Sequence, residues 1–199
     1  TANYNIAIGS GSLATMATGN GANVAIGTEV MHLLPNGGND NTAVGNRAML
    51  NANDGAADQN VCIGSQAGKT LTSGNKNTFI GNEAASSTFT TGTKCVVLGS
   101  ESRPANAAAD NEIVIGQGVT GHGNNITVIG NTDMTAWHPG ANNSVDLGSP
   151  SYRFANVYTS DLHLKNDKGD WTVEEGEDDL FITNNKTGKK FKFKLEEVT

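Results

Sequence analysis

A five-residue phrase, Asn-x-x-aliphatic-Gly, returns along the chain and constrains its fold more than any other feature. It occurs as Asn5-Ile6-Ala7-Ile8-Gly9, Asn23-Val24-Ala25-Ile26-Gly27, Asn41-Thr42-Ala43-Val44-Gly45, Asn60-Val61-Cys62-Ile63-Gly64 and Asn77-Thr78-Phe79-Ile80-Gly81. Weaker copies end at Gly99, Gly116, Gly130 and Gly148. Successive glycines of the set are 18, 18, 19, 17, 18, 17, 14 and 18 residues apart. A fixed period of this size marks a stacked array, in which each repeat buries its apolar side against its neighbours.

Aligned on the glycine, the preceding residue is always aliphatic: Ile8, Ile26, Val44, Ile63, Ile80, Leu98, Ile115, Ile129 and Leu147. Two residues before that column stands a mostly β-branched one, from Ile6 to Val145. Period-two alternation puts both columns on one face of a short strand. The column between them, including Ala25, Ala43 and Phe79, is small at first and then apolar. Both strand faces are therefore expected to be buried. Coil stacking is expected to cover the aliphatic columns, leaving the middle column to a partner chain. A homotrimer answers this need, with small residues where chains approach most closely. Ile8, Ile26, Val44, Ile63, Ile80, Leu98, Ile115, Ile129, Ala25, Ala43 and Phe79 are the expected core and trimer contacts. The asparagines are placed to stack as a ladder, and each glycine to turn a corner.

Composition agrees with many short strands and tight turns. Glycine and asparagine each number 25 of 199 residues, hydrophobic residues are 36% and charged residues 17%. The net charge of −7 argues against nucleic acid or an anionic membrane as partner. No apolar run approaches the ~20 residues of a membrane helix, so no membrane insertion is expected. Cys62 and Cys95 lack metal-ligand or CxxC spacing and are expected as buried, reduced thiols.

The expected architecture is all-β: residues 1–148 a β-roll or β-helix shaft, residues 149–199 a small antiparallel tip. In the tip Leu162–Lys165 and Trp171–Glu174 alternate around a turn at Asn166-Asp167-Lys168-Gly169. Leu180–Thr183 and Phe191–Leu195 form a second pair. The acidic run Glu174–Asp179 is expected to face Lys189, Lys190, Lys192 and Lys194 rather than hold calcium.

The phrases Asn41-Thr42-Ala43-Val44-Gly45-Asn46-Arg47-Ala48-Met49 and Asn60-Val61-Cys62-Ile63-Gly64-Ser65-Gln66-Ala67 resemble the repeats of bacteriophage tail fibres. They also resemble the β-roll heads of trimeric autotransporter adhesins, whose coils are shorter. The resemblance spans roughly residues 1–148. The stretch from Leu147-Gly148-Ser149 through Arg153-Phe154-Ala155-Asn156-Val157-Tyr158 to Asn166 resembles C-terminal segments of tail fibres, particularly of marine phages. These resemblances imply a homotrimeric, virion-borne, extracellular protein with no enzymatic activity and no cofactor. They imply host cell-surface glycan or protein as partner, and other tail proteins joined through sequence before Thr1. The alternatives are a bacterial adhesin head and a left-handed β-helix acyltransferase. For the latter His32 or His122 would be the only base, but only one hexapeptide per coil fits its pattern.

Trp137, His138 and Tyr152 sit where the repeat stops. Aromatics stack well on sugar rings, so these are the expected receptor contacts, against the competing reading of packing between chains. The four histidines, His32, His122, His138 and His163, are expected to stand alone. Ser160-Asp161 resembles the start of the self-cleaving chaperone domain that ends some tail fibres. The strand pattern that follows it points to no cleavage, and no metal site is expected.

Overall fold

The computed structural model describes residues 4–16, 21–34, 38–53 and 56–194. Among them there is no helix, and the strands form two sheets. Contacts divide the chain into two units, Thr1–Trp137 and His138–Thr199.

In the first unit each repeat supplies one three-residue strand: β1 (Ile6–Ile8), β2 (Val24–Ile26), β3 (Thr42–Val44), β4 (Val61–Ile63), β5 (Thr78–Ile80), β6 (Val96–Leu98), β7 (Ile113–Ile115) and β8 (Thr127–Ile129). They pair in chain order, parallel and in repeat register, Ala25 opposite Ala43 and Cys62 opposite Phe79. The unit is a β-solenoid. At ~4.8 Å per strand the sheet extends about 34 Å.

The two strand faces are the reverse of the expectation. Ala25, Ala43, Cys62, Phe79, Val97 and Val114, the middle column, are fully buried inside their own coil. The return stretch after each glycine folds back over that face. Its small residues Ala48, Ala67 and Ala84 leave room for the strand opposite. Where a ring stands in the middle column, Phe79 meets Phe89 edge to face at 5.1 Å. The aliphatic columns point outward instead. Ile8 is 57% exposed and Ile80 is 41% exposed. No partner chain is needed to bury the middle column, because a single coil already encloses it.

The asparagine ladder forms as expected. The Asn60 Oδ1 accepts from the Asn77 backbone N–H at 3.0 Å and from the Asn77 Nδ2 at 3.0 Å. The Asn60 Nδ2 donates to the Asn41 Oδ1 at 3.1 Å and to the Gly74 carbonyl at 2.9 Å. Asn23, Asn41 and Asn77 repeat the pattern, and all are fully buried. Each side chain ties a strand start to a neighbouring coil and to a return loop. It thereby satisfies backbone groups that would otherwise be orphaned in the core.

The backbone is left-handed at several recurring positions of each coil, and two of these corners differ in what they tolerate. Gly64 has φ +135°, and a Cβ there would lie 2.6 Å from the Gly81 carbonyl carbon of the next coil. Only glycine fits. Two residues further on the chain is left-handed again, yet Glu29, Arg47, Gln66, Glu83 and Glu101 occupy that corner at φ 53–59°. There the backbone bends in open space, where a Cβ is tolerated at modest strain.

The ninth copy, Val145–Leu147, is not a strand. Its middle position is Asp146, which would place a charge in the solenoid core without a partner. Ser144 also replaces the ladder asparagine. Between Asn131 and Ser160 the described chain has no strand.

The second unit is one antiparallel sheet, in the order β12-β11-β10-β9. Its strands are β9 (Asp161–Lys165), β10 (Asp170–Glu175), β11 (Leu180–Asn184) and β12 (Lys189–Lys192). Both expected hairpins are present, but the last strand runs Lys189–Lys192 rather than Phe191–Leu195, starting two residues earlier; Leu195 lies outside the described residues. Register sorts the side chains cleanly. Leu164 faces Trp171, Leu162 faces Val173, Val173 faces Ile182, and Ile182 faces Phe191. With Leu180 and Phe193 these make one apolar face. The other face carries His163, Lys165, Asp170, Thr172, Glu174, Lys190 and Lys192, and one aromatic, Phe181, whose ring lies 4.5 Å beneath the Lys190 ammonium.

Candidate functional site

The solenoid's outward columns form its most distinctive surface. Two rows of Ile, Val, Leu and Thr run the length of the eight-stranded sheet, partly exposed and without a charged residue. β-branched side chains favour strand geometry, which explains their presence but not their exposure. Apolar patches this contiguous mark interaction surfaces. The residues expected as core and trimer contacts thus fall into two groups. Ala25, Ala43 and Phe79 are interior, and Ile8, Ile26, Val44, Ile63, Ile80, Leu98, Ile115 and Ile129 line the stripe.

Trp137 closes the first unit, and His138 opens the second. Trp137 is 72% exposed and Tyr152 84% exposed. Tyr152 is presented by a tight turn. The Ser149 N–H donates to the Tyr152 carbonyl at 2.9 Å, and the Tyr152 N–H donates to the Ser149 carbonyl at 3.2 Å. Phe154 and Tyr158 nearby are also exposed.

His163 is not isolated, contrary to expectation. Its Nε2 lies 2.7 Å from the Asp170 Oδ1, and the Asn185 Nδ2 donates to the same oxygen at 2.7 Å. The Lys165 Nζ lies 3.1 Å from the Asp170 Oδ2. The turn at Asn166–Gly169 sets β9 against β10, so His163, Lys165 and Asp170 share the polar face. That juxtaposition was legible once the hairpin was. Hydrogen bonds from Asn185, then His163 and Lys165, hold the Asp170 carboxyl well below the usual carboxylate range. Lys190 pairs with Glu174 and Lys192 with Asp179, each at 2.6 Å, as the acidic and basic runs led one to expect.

The Asp170 cluster gives a pH prediction. A carboxyl with a lowered folded-state pKa stabilises the fold above its unfolded value of ~3.9, and that contribution fades as pH falls through and below that value. Amide exchange in β10 should accelerate as pH drops from about 5 to 3, beyond the intrinsic pH effect. Asp170→Asn should exchange faster at neutral pH and lose most of this added acid sensitivity. An acid dependence unchanged in the variant would contradict the assignment.

One buried carboxylate was not foreseen. Glu112 stands where the earlier coils place the ladder asparagine, and it is fully buried. Its Oε2 accepts from the Ala105 N–H at 2.9 Å and its Oε1 from the Gly123 N–H at 2.8 Å. It ties two loops together, as the asparagines do. Cys62 is buried, which pushes its thiol up to about 12; Cys95 is also raised by burial. His32 holds the Gly11 carbonyl at 3.1 Å from its Nδ1. His122 lines a shallow depression of about 380 Å³ with Val119 and Val128. Among the described residues no three His, Cys, Asp or Glu gather as a metal site.

No family model, no curated protein and no solved structure matches this chain.

Proposed function

We propose that this chain is the protomer of a homotrimeric phage tail fibre that presents a host-recognition surface. The observation that carries the reading is the solenoid's uncharged aliphatic stripe, which runs the whole sheet and is left partly exposed by the described residues of its own unit. Rotation about one axis parallel to the stack brings three such stripes together and covers each with the others. The coil length of about 18 residues and the resemblance of the Asn41 and Asn60 phrases to tail-fibre repeats support the same reading. Recognition is multivalent, three equivalent weak sites giving avidity that one site lacks. Trp137 and Tyr152 are the proposed anchors for envelope glycan, with His138 beside Trp137 in sequence.

Binding to host-envelope polysaccharide tests this. Trp137→Ala and Tyr152→Ala should each weaken binding by about ten-fold, the ordinary loss on removing an aromatic anchor. His138→Ala should cost less. Unchanged binding in both aromatic variants would move the contact elsewhere. No binding by the intact assembly to any host-envelope fraction would contradict the recognition role.

A further inference from the structure

Among its described residues the second unit has no interior. No residue described between 138 and 194 is buried. Its four-stranded sheet is nevertheless two-sided, with most of its charges on one face, grouped around Phe181, and Leu162, Leu164, Trp171, Val173, Ile182 and Phe191 on the other. A sheet of this size needs a second layer on its apolar face to be stable, and the described residues of the unit supply none. Extension at the β12 edge is opposed by Lys189, Lys190 and Lys192, which guard against strand addition. The missing layer must therefore sit on the face.

We propose that it is the same face of other copies of this chain, making the C-terminal sheet a second self-association surface, separate from the solenoid stripe. The extent of the bare area argues for this occupant. Leu164 on edge strand β9 and Phe191 on edge strand β12 are each 49% exposed, so the area runs from edge to edge, and three such faces turned towards one axis would cover one another. Charge argues likewise. Among the described residues, charged side chains on this face stand only at its ends, Glu175 beside Leu180 and Lys189 beside Asn184, where a rim stays wet while an apolar centre closes. The chain also carries two bare apolar faces, one per unit, and a copy of itself brings a match for both. The inference rests on the self-associating part of the fibre reading, not on its receptor.

Neighbouring residues on opposite faces supply the test. Leu164→Cys and Lys165→Cys are made in the full chain and treated with a bis-maleimide of about 10 Å reach, the spacing of face-packed sheets. Cys62 and Cys95 are buried and do not compete. Leu164→Cys should link copies several-fold more than Lys165→Cys, and Phe191→Cys more than Lys190→Cys at the other edge. The second pair keeps the test open should Leu164→Cys fail to fold. Linking no higher from the apolar face than from the polar face, in samples that sediment as an oligomer, would overturn this inference alone. A folded monomer by sedimentation would overturn it together with the fibre reading.

Discussion

Gly64→Ala should unfold the solenoid at temperatures where the native chain is stable. At φ +135° the backbone is in a region open to glycine alone. The new methyl would also meet the Gly81 carbonyl carbon at 2.6 Å. Neighbouring coils fix that carbonyl, since it belongs to the same corner one repeat on. Strain and overlap together should cost about 3–5 kcal/mol. Gly118→Ala is the matched control. Gly118 has φ +64° and nothing within 4 Å of an added Cβ, in the corner where other coils carry Glu, Arg or Gln. Its cost should be about 1 kcal/mol. Chemical denaturation of the two variants measures the difference, and equal midpoints would contradict the close-approach account.

Asn60→Ala should cost nearly as much, for a different reason. Removing the amide leaves the Asn77 N–H and the Gly74 carbonyl without these partners in a dry interior, each loss worth about 1–3 kcal/mol. The Asn41 and Asn77 side chains also lose a neighbour. Asn60→Asp should be worse at neutral pH, because a carboxylate would face two acceptors, the Asn41 Oδ1 and the Gly74 carbonyl. Burial raises such a group's folded-state pKa. The variant's stability should therefore be greatest in acid and fall as pH rises. A pH-independent deficit in Asn60→Asp, or a loss under about 1 kcal/mol in Asn60→Ala, would mean the ladder is decorative.

The period, the strand positions and both C-terminal hairpins were legible in the sequence because each rests on local chemistry. β-branched pairs flank a small residue, asparagine opens each strand, and glycine closes it. What sequence alone left ambiguous was which strand face is inside. Alternation separates two faces, and here both are apolar. The deciding feature is the return stretch, whose small residues Ala48, Ala67 and Ala84 fold over the middle column. That makes Phe79 interior and leaves Ile80 on the surface. In the proposed trimer it is the aliphatic columns, not the middle one, that the partner chains would cover. Asp146 was the readable sign that the ninth copy fails, since its column is otherwise apolar. Glu112 left no such sign, because its role depends on the Ala105 and Gly123 amides, brought near by loops with no periodic pattern. His163 and Asp170 are seven residues apart, and only strand register joins them.

Sedimentation of the purified chain tests the central claim most directly. Three protomers of 20.6 kDa should give a mass of about 62 kDa, persisting on dilution as a large apolar interface requires. Ile63→Lys with Ile80→Lys, on the stripe, should loosen that assembly while leaving the Asn ladder and the solenoid core intact. A stable, folded species of 20.6 kDa would contradict the account, because the stripe would then be bare in solution.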